Sequence, residues 1–224
     1  LAEHILSKNN KIKIFGIYRS AGNKNLLKSK RIKLFKGDLC NFYRTQKIIK
    51  KVNPDLIFHL ASTANVRESF DLPRKTIENN NAVTLNLLEV IRINKINPLI
   101  IICSTSEVYG KVSKKDIPIK ETKSINPVNP YSVSKALQDL ISQVYQVIKK
   151  ITLAPIENSP STQGSNTFTH QSNSFRLLSH HQILRSSHVF LTGHHRNRKN
   201  ICRLNGPTLE SAPTKRSVFS SRNA

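Results

Sequence analysis

Oily runs and helical stripes take turns along the first 150 residues. "IKIFGIY" at 12–18 and "RIKLF" at 31–35 each read as a short strand. Residues 43–52 place Ile48, Ile49 and Val52 on one side, which predicts a helix that stops before Pro54-Asp55. "LIFHLA" at 56–61 is a third strand and "LIIIC" at 99–103 a fourth. Between them, 76–94 carries Val83, Leu87, Leu88 and Ile91 at helical spacing. From Asn129 onward Val133, Leu137, Leu140, Val144 and Ile148 form a long apolar stripe at helical spacing. Strand-helix alternation of this kind predicts an α/β fold with a parallel sheet flanked by helices.

One strand ends oddly. After Leu99-Ile100-Ile101-Ile102 comes "CSTSEVYG", three hydroxyls and a carboxylate at the end of a run that reads as buried on both faces. In a doubly wound parallel sheet, ligands bind at the carboxyl ends of the strands. That places Arg19, Asp38, His59 to Ala61 and the 104–107 stretch on one rim. The chain opens with "LAEHILSKNN", which reads as the second half of a helix. No strand and no glycine-rich phosphate turn precede it. The expected fold is therefore a partial Rossmann-like, doubly wound parallel sheet that lacks its first, central strand.

Composition divides the chain near residue 150. Before it stand 21 Lys and 6 Arg; after it, 2 Lys and 7 Arg, with Ser, Asn, Thr and His abundant and no sustained periodicity. Such a stretch buries little apolar surface and is expected to lack order. The organisation predicted is an incomplete nucleotide-binding domain over 1–150 and a non-homologous, low-order tail over 151–224, of the kind a frameshift or a fusion produces. The net charge of +23 raises nucleic-acid binding as a rival function. The lysines are dispersed and few aromatics lie among them, so nucleic acid is not expected as the main partner; such a field also attracts a sugar nucleotide. Cys40, Cys103 and Cys202 lack metal or redox spacing, and the pairs His180-His181 and His194-His195 have no acidic or cysteine support, so no metal is expected. No apolar run is long enough to span a bilayer and no secretory leader opens the sequence, which predicts a cytoplasmic protein without a membrane partner.

Tyr131 and Lys135, four apart in "YSVSK", share one helix face. A nearby ammonium favours the phenolate, so the pair can build a general base from a side chain that titrates near 10 when unperturbed. With a hydroxyl at the end of the preceding strand, the pair completes the Ser/Thr–Tyr–Lys constellation of short-chain dehydrogenases. "KGDL", "PDLIFHLAS", "NNNAVTLNLLEVI", "STSEVYG" and "NPYSVSKALQDL" occur in the order and at the spacing of the extended branch. Residues 1 to about 150 therefore resemble the nucleotide-sugar epimerases and dehydratases. Glu107, with "NVRESFDLP" at 65–73 and Arg19 after the first visible strand, makes them look most like the GDP-mannose 4,6-dehydratases.

The resemblance implies a set of roles. Catalysis falls to Thr105, Glu107, Tyr131 and Lys135: Tyr131 takes the O4 proton, Thr105 bonds the same oxygen, Glu107 removes the C5 proton, and Lys135 holds the nicotinamide ribose and lowers the tyrosine pKa. Cofactor contacts fall to Arg19, Asp38, Leu39, Leu60, Ala61, Ser62, Thr63 and Ala64 besides Tyr131 and Lys135. Arg19 suits a 2′-phosphate, which favours NADP over NAD. Ser104, Asn65 and Arg67 are candidate substrate contacts. His59, on an apolar strand, reads as a hydrogen-bonded structural histidine. The implied partner is a nucleotide-diphospho-sugar, and intact relatives are homo-oligomers. A UDP-sugar 4-epimerase, which needs no carboxylate at 107, is the nearer alternative. Without the phosphate turn and a substrate domain, the chain is expected not to turn over a sugar nucleotide by itself.

Overall fold

The computed structural model describes residues 1–19, 29–120, 122–149 and 187–192. In chain order these form α1 (Ala2–Lys8), β1 (Lys13–Tyr18), β2 (Ile32–Lys36), α2 (Phe42–Val52), β3 (Leu56–His59), α3 (Val66–Asp71), α4 (Pro73–Ile93), β4 (Leu99–Ile102), α5 (Pro130–Lys149) and β5 (His188–Thr192). Local signals account for the ends of several. Asn41 caps α2 by accepting from the Arg44 N–H, and Asn53 closes it in the left-handed conformation. Pro73 sits in the first turn of α4, where its missing N–H leaves no helical bond unmade. The short α3, capped by Asn65, was not anticipated from the hydrophobic pattern.

All pairings in the five-stranded sheet are parallel, in the order β2-β1-β5-β3-β4. The centre is not empty. β5 lies between β1 and β3, with Lys13 opposite His188 on one side and Leu56 opposite Val189 on the other. The expectation of a sheet lacking its central strand is thus corrected: residues from the far side of position 150 fill that place. Residues 188–192 are an ordered strand inside the stretch expected to be of low order. Apart from 187–192, residues 151–224 lie outside the described residues.

The register shows why this segment fits. Val189 and Phe190 are fully buried on opposite faces. Val189 joins Ile12, Ile14, Leu56 and Phe58 beneath α1, where Ile5 is buried. Phe190 joins Ile17, Ile57 and Ile100 beneath α2 and α4, whose Ile49, Leu87, Leu88 and Ile91 are fully covered. The entry of β5 is pinned by Asp55, whose carboxylate accepts the Ser187 and His188 N–H groups and the Ser187 hydroxyl, each at 2.9 Å. Burial pushes the Asp55 carboxyl up, yet these bonds and the nearby His188 hold it below its ordinary value.

The apolar stripe of α5 faces outward: Val133, Leu137, Leu140, Val144 and Ile148 are all exposed. Its buried face is polar, with Ser132, Ser134, Lys135, Gln138, Asp139 and Ser142 covered against the neighbouring elements. Hydrogen bonds to α4 and to the rim of the sheet, not apolar area alone, decide which side turns in.

Phe190→Ala removes the largest side chain of the central strand from a fully buried site. It should destabilise the protein by about 3–5 kcal/mol, read from urea unfolding followed by circular dichroism. A loss of under about 1 kcal/mol would mean that β5 is not part of the core.

Candidate active site

Because every strand is parallel, all five carboxyl ends face one rim. β4 runs out into Cys103, Ser104 and Thr105, and the chain then makes a single 3₁₀ turn over Ser106–Tyr109. Thr105 caps that turn, its hydroxyl accepting from the Glu107 N–H at 3.3 Å. Gly110 ends it at φ 67°, and a Cβ there would come within 2.1 Å of the Asn126 carbonyl oxygen, so only glycine fits. The turn presents Glu107 to solvent, and the Asn129 side-chain amide donates to its carboxylate at 2.7 Å.

Asn129 also starts α5. Its side-chain oxygen accepts from the Ser132 N–H at 2.8 Å, an N-cap directly before Pro130. The Asn-Pro pair ahead of an apolar stripe is a helix-start signal; the grip on Glu107 was not legible from it. One turn on, Tyr131 and Lys135 share the inward face, both largely buried. Burial raises the Tyr131 phenol pKa, a hydrogen bond with Thr105 lowers it, and Glu107 and Cys103 push it up again; the net shift is upward. The Lys135 ammonium is turned along the helix and bonds Gln138 Oε1 at 2.7 Å, and burial sets the direction of the tyrosine shift. Burial in turn lowers the Lys135 pKa, against the raising influence of Asp139 and Cys103.

The cofactor candidates gather along the same rim. Arg19, at the end of β1, lies 3.8 Å from Asp38, just past β2. Asp38 also accepts the Cys40 N–H at 3.0 Å, and the buried Leu39 passes its carbonyl to Asn86 at 2.8 Å. Leu60 and Ala61 give their N–H groups to the Thr192 hydroxyl at 3.0 and 3.2 Å. Ser62 is buried and Ala64 exposed. Thr63 is clamped by two asparagines of α4: Asn80 takes its N–H at 2.5 Å and donates to its carbonyl at 3.2 Å, while Asn79 donates to its hydroxyl at 3.1 Å. These asparagines went unremarked in the sequence; three adjacent polar residues on a helix that packs on a sheet are the signal.

The substrate candidates are not drawn together. Ser104 donates to Asp139 of α5 at 2.5 Å. Asn65 caps α3, and with Arg67 it lines an open groove of about 430 Å³ shared with Glu68, Asp71, Leu72 and Lys75. Among the described residues, no three His, Cys, Asp or Glu side chains converge on a metal-sized site. The histidine pairs at 180–181 and 194–195 lie outside them.

His59 is a structural histidine, as expected. It is fully enclosed, with Nδ1 2.9 Å from the Thr192 hydroxyl and Nε2 2.9 Å from that of Thr84. Burial, helped by the Lys135 charge, pushes its pKa down to about 3.

A parallel α/β sheet with a Thr–Tyr–Lys set at its carboxyl rim defines the extended short-chain dehydrogenase class. Within it, the family model described as GDP-mannose 4,6 dehydratase matches residues 1–176, so the chain belongs to that family. The match runs past residue 150, where the quoted motifs end. GDP-mannose 4,6 dehydratase 2 of Caenorhabditis elegans is 34% identical over 150 residues, covering 60% of this chain and 38% of that protein. Among solved structures, RMD from Pseudomonas aeruginosa complexed with NADPH aligns with a TM-score of 0.53 at 24% identity, over 63% of this chain and 51% of that one. The UDP-glucose 4-epimerase of Thermus thermophilus in complex with NAD aligns with a TM-score of 0.61 at 24% identity, over 68% and 48%. The matched part of the chain thus spans well under half the length of the worm dehydratase.

The neutral His59 gives a pH signature. The unfolded chain takes up a proton near pH 6.5 that the folded protein refuses until about pH 3. His59 therefore favours the fold fully above pH 6.5, and stability falls as pH drops through that window, by at most about 1.4 kcal/mol per pH unit for one proton. Urea unfolding at pH 7 and pH 5 should show a smaller loss in His59→Asn than in the wild type. Equal losses would mean that His59 is not held neutral.

Proposed function

We propose that the chain carries the cofactor-binding and proton-transfer half of a nucleotide-sugar 4,6-dehydratase that uses NADP and acts on GDP-mannose. The observation that supports it most directly is Glu107: a carboxylate held by Asn129 at 2.7 Å, two residues past Thr105, on the rim that also carries Tyr131. Proton abstraction next to a carbonyl needs such a base, whereas 4-epimerisation does not. The cytoplasmic setting expected from the sequence goes with this reading. No helix among the described residues is long and apolar enough to cross a membrane.

The rim fits a nicotinamide dinucleotide phosphate. Arg19 and Asp38 have side chains 24% and 31% exposed, which leaves a guanidinium reachable by a 2′-phosphate where a ribose-reading carboxylate would repel one. When bound, the cofactor supplies a reversible hydride acceptor, so that a redox-neutral dehydration moves hydride from C4 to C6. The chain's own residues do the rest. Tyr131 receives the proton of the 4-hydroxyl, and its raised pKa makes it a strong base once ionised. Thr105, hydrogen-bonded to the phenol, also reaches the substrate oxygen. Glu107 removes the C5 proton and gives it to the departing C6 hydroxyl, and a proton returned to C5 as hydride reaches C6 balances the one Tyr131 took from the 4-hydroxyl. Lys135 supplies fixed positive charge behind them.

The second reading, a UDP-sugar 4-epimerase, is favoured by the T. thermophilus structural likeness and opposed by Glu107. In any preparation that turns over, Glu107→Gln should abolish dehydration yet spare epimerisation. The cofactor half is tested directly by fluorescence titration of the full chain. NADPH should bind more tightly than NADH. Arg19→Ala should weaken NADPH by about tenfold, worth about 1.4 kcal/mol, and leave NADH nearly unchanged. Equal losses for both would sink the assignment of Arg19 to a 2′-phosphate.

A further inference from the structure

Gln138 is fully buried on the inward face of α5, one turn beyond Lys135. Its amide orientation is forced. Nε2 lies 2.7 Å from the Asn80 carbonyl oxygen, which only accepts, so the NH₂ group faces α4 and Oε1 faces the Lys135 ammonium. The second Nε2 proton goes to the Thr84 hydroxyl oxygen at 2.5 Å.

The hydrogen-bonded path continues inward. The Thr84 hydroxyl accepts from Gln138 and lies 3.1 Å from the Asn80 carbonyl oxygen and 2.9 Å from His59 Nε2. His59 Nδ1 lies 2.9 Å from the Thr192 hydroxyl, whose oxygen takes the Leu60 and Ala61 N–H groups and which also reaches the Phe58 carbonyl oxygen at 3.4 Å. The path runs Thr192–His59–Thr84–Gln138–Lys135, from the last residue of β5 to the lysine beside the candidate base.

We infer that Gln138 is a positioning residue: it holds the Lys135 ammonium in place and ties it, through Thr84 and His59, to Thr192 on the central strand. The inference rests on the reading of Lys135 as part of the active site. A neutral acceptor does this better than a carboxylate. It bonds the ammonium without neutralising it, so the charge stays available to whatever approaches the rim. Gln138 is not itself a catalytic residue, since its polar atoms are all spent on protein partners.

The test is the titration of Lys135, followed by ¹³C–¹H NMR of the lysine ε-methylenes in the full chain and assigned with Lys135→Arg. The charged and titratable groups acting on Lys135 are Asp139 on its own helix, Cys103 at the end of β4 and His59 on β3; none is altered. Gln138→Met removes the acceptor and should lower the Lys135 pKa by about one unit, while Gln138→Glu should raise it by about one unit or more. General loosening of the core would admit water and raise the value in both variants. Opposite shifts carry the inference; shifts in the same direction, or none, overturn it. Should the Met variant not unfold cooperatively, Gln138→Glu decides alone: a raised pKa at the wild-type unfolding midpoint supports the role, and an unchanged pKa contradicts it. No cofactor or sugar enters this readout. If the shifts appear but NADPH does not bind, the proposed function fails and the positioning role stands; if NADPH binds and the shifts are absent, only the positioning role fails.

Discussion

The pairing of β5 between β1 and β3 is the constraint on which the rest depends. Without that strand, β1 and β3 would each present a row of unmet main-chain donors and acceptors at the middle of the sheet. The register aligns Thr192 with His59 and Ile17, so the strand that completes the core also ends at the rim. There its hydroxyl takes the N–H groups of Leu60 and Ala61 and turns the chain toward the candidate cofactor loop. One five-residue segment thus joins two halves of the core and sets the geometry of a loop at the site.

The second determinant is the polar interior behind the rim. α5 buries hydroxyls, an amide, a carboxylate and an ammonium where a helix on a sheet ordinarily buries leucines. Such a face is stable only if its members satisfy one another, because an orphaned buried polar group costs about 1–3 kcal/mol. Asn80 shows how tightly the groups are shared. It clamps Thr63, donates to Ser134 on α5 at 2.8 Å, and offers its carbonyl to Gln138 and Thr84. The same low-dielectric surroundings that make these bonds strong also shift His59 and Lys135 downward and Tyr131 upward. Geometry and titration at the site have a common origin.

Much of this architecture was legible in the sequence, and the exceptions have physical causes. β1 to β4 lie within a few residues of the runs that predict them, since strands buried on both faces announce themselves as apolar. Tyr131 and Lys135 were legible from spacing, and Thr105 and Glu107 from their place after an oily strand. β5 was not. Val189, Phe190 and Leu191 are three apolar residues in a polar stretch, too few to set up a period. What identifies them as a core strand is the slot between β1 and β3, which is not a local property. The facing of α5 was not legible for the opposite reason: its stripe is strongly periodic, but periodicity says only that two sides differ, not which one turns inward. Gln138, Asn80 and Asn129 escaped notice because each is also bound to partners far along the chain, 17 to 58 residues away.

Amide hydrogen exchange, resolved residue by residue in the intact chain, tests the central placement of β5 most directly. The account requires the N–H groups of Val189 to Thr192 to exchange as slowly as those of Ile57 to His59, because both strands then open only with the sheet. Fast exchange at 189–192 beside slow exchange at 57–59 would contradict it, and would leave the rim without the strand that organises it.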